Sequence, residues 1–417
     1  MELKRVVITG IGAITPLGNT LDEFWTNLVD GVSGADMITQ FDASKFRTRF
    51  ACEVKNFDPT NYLDRKEARK IDRFTQFALV ASDQAMADAG LNKDNINPDR
   101  IGVVVASGIG GLITFQNEVV DFAKGDGTPR FNPFFIPKMI LDIAAGQISM
   151  RHNLRGPNFA VVSACASSTN AIIQACDLLR LGKADIILSG GSEAVISQAG
   201  VGGFNAMKAM SERNDDPKTA SRPYDKDRDG FIMGEGSGIV VLETLEHALA
   251  RGAKIYCEVA GGGATADAYH ITAPHPDGLG AKNVMLRALE DAGMVPEDID
   301  YINTHGTSTP LGDLAEAKAI VSVFGEHAYN LNISATKSMT GHCLGAAGAI
   351  EAIACIKAIV HDIIPPTINH FTDDPELDAR LNFTFNKAQK RVVNAALSNT
   401  FGFGGHNACV IVKKYKG

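Results

Sequence analysis

The hydrophobic positions of the chain alternate between two periods. Short runs of β-branched residues, at residues 6–9 and 101–106, predict strands, the second of them buried. Between them, residues 21–28 and 74–89 place their apolar side chains at helical spacing. Because predicted strands and helices take turns along the chain, the pattern indicates an α/β architecture.

Two later passages repeat one order of elements: a strand, a turn of small residues, an alanine-rich helix and an extended segment. The predicted elements are residues 159–163, 168–181 and 186–189 in the first passage, and 332–335, 344–360 and 363–368 in the second. The repetition favours an internal duplication, with halves that meet near residue 255. Any two α/β units share this order, so two unrelated units are the alternative.

The composition is typical of a globular protein with a sizeable core: 45% of the 417 residues are hydrophobic and 21% are charged. At about 150 residues per domain, this length corresponds to two or three units. The 41 glycines predict many tight strand-to-helix turns. A net charge of -8 argues against nucleic-acid binding as the main function, so any basic partner site is a local patch.

The seven cysteines show no CxxC or secreted-scaffold spacing, which indicates a reducing cytoplasm. The N-terminus passes from charged residues directly into a strand, without the apolar core of a signal peptide. Apolar stretches such as residues 346–360 are interrupted, there by Glu351 and Lys357. We therefore expect no membrane-spanning segment.

Glycine-rich segments follow two of the predicted strands. Residues 10–18 (GIGAITPLG) lack the spacing of a dinucleotide-binding loop, and glycines serving a tight turn explain them better. Residues 107–111 (SGIGG) have no phosphate-binding lysine. His270 and His275 flank a proline-containing loop without metal-ligand spacing, so the sequence predicts no catalytic metal site.

Cys165 lies in VVSACASSTNAII, where a predicted strand ends in small residues and a helix begins. A sulfur on such a turn faces the helix N-terminus, whose positive end lowers a thiol pKa and whose N–H groups stabilise an oxyanion. These features predict a nucleophile. The alternative is an inert core cysteine, which is our interpretation of Cys176 and Cys355 inside apolar helical patterns.

Two histidines also follow predicted strands. His305 lies in DYINTHGTSTPLGD, before a glycine turn with three hydroxyl residues, and His342 lies in SATKSMTGHCLGAAGAIEA. Loops at the carboxyl ends of strands line clefts in α/β proteins, so both side chains are candidates for an active site. Taken singly, each is also compatible with a hydrogen-bonded structural or surface histidine.

Four separated motifs occur in the order found in one enzyme family: SACASS at 163–168, NTHGTSTP at 303–310, KSMTGH at 337–342 and NTFGFGG at 399–405. With SRPYDKDRDGFIMGEG at 221–236, the chain resembles the β-ketoacyl-acyl-carrier-protein synthases, most closely type II. The resemblance covers essentially the whole chain. His406 departs from it, since many relatives carry threonine there, but this position has no catalytic role in the family.

The resemblance implies a thiolase-like, five-layered α/β/α/β/α fold built from two similar halves. Residues 1–255 would form the half that carries the nucleophilic cysteine, and residues 256–417 the half that carries the two histidines. It also implies a homodimer that uses acyl carrier protein. Together with the cysteines, the net charge and the interrupted apolar stretches, this leads us to expect a cytoplasmic protein that binds neither nucleic acid nor membranes.

The resemblance implies decarboxylative condensation. Cys165 would hold the acyl chain as a thioester, with its own N–H and that of Phe401 as the oxyanion hole. His305 and His342 would hold the enolate formed from a malonyl thioester, which then lengthens the chain by two carbons. A thiolate attacks and leaves well, and a thioester enolate needs fixed donors in a water-poor site.

Other roles follow from the resemblance alone. Lys337 and Glu351 would be a supporting pair, although an ordinary buried ion pair is the alternative for Glu351. The substrate site would comprise Thr272, Thr307 and Thr309, with Ile109 and Phe401 gating the acyl pocket. The family implies no cofactor and no required metal, and leaves open a monovalent cation near Asn303, Glu351, Ser398 and Asn399.

An acidic carrier protein needs a basic surface on this acidic enzyme. Lys66, Arg69 and Lys70 have the i, i+3 and i+4 spacing of one helical face. By resemblance, Arg130 and Lys208 join them in a carrier-protein patch. A solvated helix face is the alternative interpretation.

Three other functions compete with this interpretation. A thiolase uses a second catalytic cysteine in place of the Cys-His-His set, and Cys409 lies outside such a motif. A catalytically silent chain-length factor lacks the nucleophile, so Cys165 argues against it. A polyketide ketosynthase subunit uses the same residues and remains an alternative.

Overall fold

The computed structural model describes residues 3–92 and 96–417. Its strands are β1 (Val6–Ile14), β2 (Asp36–Met37), β3 (Phe50–Ala51), β4 (Ile101–Ala106), β5 (Asn158–Phe159), β6 (Ile186–Glu193), β7 (Gly236–Thr244), β8 (Cys257–Ala266), β9 (Tyr301–Asn303), β10 (Asn332–Ser334), β11 (Ile363–Ile364), β12 (Gln389–Lys390), β13 (Ala395–Gly402) and β14 (His406–Lys413).

The α-helices are α1 (Leu21–Val29), α2 (Arg65–Ala68), α3 (Arg73–Asp88), α4 (Leu112–Lys124), α5 (Phe135–Met139), α6 (Ile143–His152), α7 (Ser167–Arg180), α8 (Gln198–Ala206), α9 (Leu245–Ala250), α10 (Leu279–Ala292), α11 (Pro310–Phe324), α12 (Lys337–Thr340) and α13 (Ala347–His361). Short 3-10 helices occupy Pro59–Asn61, Pro98–Arg100, Ala164–Ala166, Pro217–Thr219, Pro296–Asp298, Gly325–Asn330 and Leu344–Ala346.

The large sheet consists of two five-stranded halves with the same topology. Its order is β5-β4-β6-β7-β1 in one half and β10-β9-β13-β14-β8 in the other. In each half the second strand pairs in parallel with its neighbours, and the remaining pairs are antiparallel. A short antiparallel pairing of β1 with β8 joins the halves. This repeated order matches the two similar halves predicted from the sequence.

The helices complete five layers. Helices α7 and α13 pack on each other and contact strands of both halves. Helices α3 and α6 pack together on one half of the sheet, while α10 and α11 pack together with the other. The order helix, sheet, helix, sheet, helix is the predicted fold class.

Two of the glycines near the N-terminus, Gly10 and Gly12, serve strand packing rather than a tight turn. Strand β1 continues to Ile14, beyond the predicted residues 6–9. A Cβ at Gly10 would lie 2.3 Å from the carbonyl oxygen of Ala85, and one at Gly12 would lie 1.9 Å from that of Ala81. Gly10 and Gly12 are therefore required because α3 lies directly against β1, which corrects the turn interpretation for these two. Gly18 does close a tight turn with Thr15.

Helix α13 is the most apolar element in the centre of the protein. We expected no segment that could cross a membrane, yet Leu344–His361 is long and apolar enough to do so by length and composition. However, 89% of this segment is buried inside the protein. Both of its interrupting charges, Glu351 and Lys357, are buried as well. Its composition is thus explained by its place between the two halves of the sheet.

Two equivalent turns precede the central helices. Ala164 has a φ of 52° before α7, and Leu344 has a φ of 48° before α13. A positive φ is costly for a residue with a Cβ, and such strain is frequent at functional sites. The predicted strand at 159–163 reaches only Phe159, because the chain leaves the sheet edge to form the first turn.

Candidate active site

Cys165 lies in the 3-10 turn immediately before α7. The turn is fixed locally, because Ser167 Oγ accepts from the N–H of Ser163 at 2.9 Å and donates to the carbonyl of Ala164 at 2.6 Å. The sulfur-bearing residue is only 8% exposed. The predicted strand-to-helix position of Cys165 is therefore present.

Burial and nearby polar groups act on the pKa of the resting thiol in opposite directions. Burial raises the pKa of Cys165 to about 11, while the charge of Lys337 and the N–H of Phe403 lower it part of the way. Burial raises the pKa of Cys52 and Cys176 further, to about 12 each. Burial thus opposes the predicted lowering of the thiol pKa in the free enzyme, because a buried thiolate loses its hydration.

His342 contacts the thiol directly. Its Nε2 lies 3.1 Å from Cys165 Sγ, and the backbone N–H of Leu344 donates to its Nδ1 at 3.3 Å. Since Nδ1 accepts, the ring proton resides on Nε2. Burial and the charge of Lys337 hold the pKa of His342 well below its usual value. The imidazole is therefore neutral and presents an N–H donor at the sulfur.

His305 faces His342 across the site. Their ring centroids are 5.3 Å apart, with the planes at 87°. Burial, followed by the charges of Lys337 and His342, lowers the pKa of His305 well below its usual value. Its Nδ1 is buried and has no hydrogen-bond partner within residues 3–92 and 96–417. Its backbone N–H donates to Glu316 at 2.9 Å, which fixes the loop.

Lys337 and Glu351 form a buried ion pair beneath the histidines. Each residue is 1% exposed, and Lys337 Nζ donates to Glu351 Oε1. Burial raises the pKa of Glu351, while the Lys337 charge opposes this change. Lys337 thus supplies the positive charge that acts on Cys165 and on both histidines.

Cys165, His305 and His342 line a cavity of about 460 Å³. Its walls include the predicted residues Cys165, His305, His342, Thr272, Thr307, Thr309, Phe401 and Lys208. Thr307 Oγ1 and Thr309 Oγ1 are 3.0 Å apart and form a hydroxyl pair. Ile109 does not line this cavity; its loop lies behind the Cys165 turn.

The N–H group at the sulfur belongs to Phe403, not to the predicted Phe401. The backbone N–H of Phe403 faces the Cys165 sulfur and lowers the pKa of the thiol. A Cβ on Gly402 would lie 3.1 Å from Cys165 N, so the chain passes the thiol between the two phenylalanines. Phe401 is still within β13, and its ring centroid lies 5.5 Å from that of His305. This arrangement favours Phe403 over Phe401 for the second oxyanion-hole position.

Three oxygen atoms near the ion pair are buried without partners in the described part of the chain: Glu351 Oε2, Ser398 Oγ and Asn399 Oδ1. Ser398 lies opposite Asn303 in the β13–β9 pairing, and α13, which carries Glu351, packs on β13. Buried polar atoms normally have partners. The donor set fits a cation held by oxygen. The described residues contain no metal-binding group of three or more His, Cys, Asp or Glu.

The basic residues do not share one helical face. Helix α2 ends at Ala68, so Arg69 and Lys70 lie on the turn that follows it. Because the helix has only four residues, the i, i+3, i+4 interpretation is wrong. Lys66, Arg69 and Lys70 are nevertheless all exposed.

The other two residues of the predicted patch differ from each other. Arg130 pairs with Asp126 at 3.2 Å, which offsets its charge. Lys208 is exposed and lines the cavity. The sequence analysis missed Lys138, whose Nζ donates to the carbonyl of Arg69 at 3.3 Å and adds a charge beside that turn.

Sequence reasoning also missed two buried carboxylates. Glu316 accepts from the N–H groups of His305 and Gly306, and burial raises its pKa to about 7. Glu193, at the end of β6, holds the loop that contains Ile109. A single acidic residue in a helix or strand gives no local signal, so only the folded contacts find them. The sequence did contain a signal for Phe403, because it lies in the same glycine-rich motif as Phe401.

Comparisons with known proteins agree with this geometry. Residues 3–248 match the model of the β-ketoacyl synthase N-terminal domain, and residues 256–371 match that of the C-terminal domain. The 3-oxoacyl-[acyl-carrier-protein] synthase 2 of Synechocystis is 51% identical over 100% of this chain and 99% of its own length. Its namesake from Staphylococcus aureus strain N315 is 49% identical over 99% of each chain.

A solved structure extends the comparison. The ketosynthase of a type II polyketide synthase, in complex with its acyl-carrier protein, superposes with a TM-score of 0.90 at 33% identity, covering 99% of this chain and 100% of the other. With both domain models matched and half of its residues shared with these relatives, the chain belongs to the β-ketoacyl synthase family.

Proposed function

We propose that this protein is a β-ketoacyl-acyl-carrier-protein synthase II, an acyltransferase that elongates fatty acids by two carbons. The main support is the contact between the buried Cys165 thiol and the Nε2–H group of a neutral His342. A second neutral imidazole, that of His305, completes the cavity. The two relatives named synthase 2, each about half identical over the full chain, support the same reaction.

The first step moves the acyl group to the enzyme. Cys165 Sγ attacks the carbonyl carbon of the acyl thioester, a new C–S bond forms, and the bond to the carrier's sulfur breaks. The thiol proton leaves with the carrier. The N–H groups of Cys165 and Phe403 donate hydrogen bonds to the transient oxyanion.

The second step uses the histidines. The malonyl carboxylate leaves as CO₂, and the electron pair of the broken bond forms an enolate whose oxygen accepts from Nε2–H of His305 and His342. The enolate carbon attacks the acyl carbonyl, the bond to Sγ breaks, and the Cys165 thiolate takes up one proton. Neutral imidazoles suit this role because each keeps one N–H group, which donates a hydrogen bond to the enolate oxygen.

Supporting groups surround the reacting atoms. Burial, helped by the charge of Lys337, which pairs with Glu351, keeps the histidines neutral. Thr272, Thr307 and Thr309 would hold the carrier's arm along the cavity. A monovalent cation would be held by Glu351, Ser398, Asn399 and Asn303, and would supply fixed positive charge beside the ion pair. Ile109 would limit the acyl pocket from behind the Cys165 turn.

The proposal extends to assembly and location. The halves would divide at residues 255 and 256, as the repeated strand order suggests. Exposed Phe131, Phe134 and Ile136 and the edge strand β5 support a homodimer, and a monomeric mass in sedimentation would contradict it. Seven unpaired cysteines support a cytoplasmic location; disulfides in protein isolated without a reductant would contradict it.

Incubation with an acyl-carrier-protein thioester and malonyl-carrier protein tests the function. We expect one CO₂ per turnover and a 3-oxoacyl product longer by two carbons. A polyketide ketosynthase, which the solved relative makes the second candidate, would instead extend one chain repeatedly without an intervening reduction. A silent partner would release no product.

The exposed basic turn is expected to recruit the carrier protein. Changing Lys66→Glu and Arg69→Glu should weaken use of the carrier-bound substrate far more than use of a small acyl thioester, and should flatten the salt dependence. Steady-state rates with both donors at several salt concentrations measure this. The exposed Lys390→Glu change on β12 is the control. Equal loss with both donors would indicate a folding defect and no docking role.

A further inference from the structure

Glu193 ends strand β6 and takes no part in the proposed reaction. It is fully buried, and one carboxylate oxygen, Oε1, gathers the loop that follows β4. This oxygen accepts from Ser107 Oγ at 2.8 Å and from the N–H groups of Ile109 and Gly110 at 3.2 Å each. The loop therefore owes its conformation to a residue 84 positions away from Ile109.

The other oxygen, Oε2, joins this loop to the turn after His342. It accepts from the N–H of Gly108 at 2.7 Å and from that of Gly345 at 3.0 Å. The two glycines are in direct contact, because a Cβ at Gly345 would lie 2.2 Å from Gly108 N and 2.7 Å from Oε2. One carboxylate thus holds two segments of backbone together.

Both segments border the catalytic pair. A Cβ at Gly108 would lie 3.3 Å from the carbonyl oxygen of Ala164, the residue before Cys165. Leu344, before Gly345, supplies the N–H that places the proton of His342 on Nε2. Leu344 and Cys165 also belong to one apolar cluster of buried side chains.

We infer that Glu193 is a positioning residue that holds the loop at 107–110 against the turn at 342–345, and so determines which acyl chain lengths the enzyme accepts on Cys165. The inference rests on the proposed function. Burial raises the pKa of Glu193, and the hydrogen bonds that it accepts oppose that change. The contacts that hold the two segments therefore also stabilise the ionised carboxylate. Without the carboxylate, four donors would lose their acceptor, and the N–H of Gly110 would keep only Ser107 Oγ.

The Glu193→Gln variant tests this inference with little change in volume. A glutamine has one acceptor oxygen and one NH₂ group. In either orientation its NH₂ faces donors that Oε1 or Oε2 now satisfies, and the two segments separate. We expect the ratio of Cys165 acylation rates with hexadecanoyl and hexanoyl carrier protein to move at least tenfold toward one. Intact-protein mass at timed intervals measures both rates.

Glu243→Gln is the matched control. Glu243 is also fully buried and lies on β7, opposite Ile186, while Glu193 lies opposite Gly236 at the other end of the same strand pair. Its loss should lower the unfolding midpoint but leave the ratio unchanged. If Glu193→Gln does not fold, Ser107→Ala removes one donor from the same carboxylate and should move the ratio in the same direction, by a smaller factor.

An unchanged ratio in the folded Glu193→Gln variant would overturn the inference, whether or not the rates fall together. An unchanged ratio in Ser107→Ala would overturn it when that variant replaces the first. The same change of ratio in Glu243→Gln would also overturn it. Wild-type protein that is never acylated would instead contradict the proposed function, so the two failures are distinguishable.

Discussion

The Cys165→Ser variant should gain no acyl mass after exposure to an acyl-carrier-protein thioester, whereas the wild-type chain gains one acyl group. A serine hydroxyl is a far weaker nucleophile than a thiol, and a neutral His342 with its proton on Nε2 offers it no base. The turn itself should persist, because its hydrogen bonds involve Ser163, Ala164 and Ser167. Intact-protein mass spectrometry measures the difference directly.

Cys176→Ser is the matched control for this experiment. Cys176 lies within α7, is 3% exposed and is absent from the cavity walls. This variant should keep the full adduct. An adduct that survived in Cys165→Ser, or that disappeared in Cys176→Ser with the fold intact, would contradict the assignment of the nucleophile.

The His305→Ala and His342→Ala variants should lose condensation by a factor on the order of 10² to 10³ each. Removing one preorganised donor to a developing oxyanion typically costs roughly 2.7 to 4 kcal/mol, and water cannot replace the donor in a closed site. Acyl transfer to Cys165 should stay within about tenfold of wild type, because the N–H groups of Cys165 and Phe403 serve that step. Carbon dioxide release and the acyl adduct are measured side by side.

His327→Ala controls for the loss of an imidazole elsewhere. Its Nε2–H donates to the carbonyl of Ile299 at 2.9 Å, and His327 does not line the cavity. It should keep both half-reactions. A site histidine whose replacement removed acylation but kept decarboxylation would be a base for the thiol instead, and the enolate role would be wrong for it.

Much of the fold followed from periodicity. The helices at α1, α3 and α7 and the strand β4 lie within a residue or two of the predicted ranges, because their apolar spacing is strong and local. Strands β1 and β6 run further than predicted, since glycines weaken the hydrophobic pattern there. The predicted helical face of Lys66, Arg69 and Lys70 failed because α2 is too short to carry it.

The sequence by itself determined the class of fold, the motifs and the residue types at the site, because these depend on local order along the chain. Only the tertiary structure decided how they meet. In the folded protein, Nε2 of His342 contacts the Cys165 sulfur, the N–H of Phe403 rather than that of Phe401 faces this sulfur, and burial raises the thiol pKa. The folded structure also shows that Glu193 accepts hydrogen bonds from two segments, through the N–H groups of Gly108 and Gly345. These contacts and the desolvation of the thiol depend on segments far apart in sequence, and no local pattern encodes them.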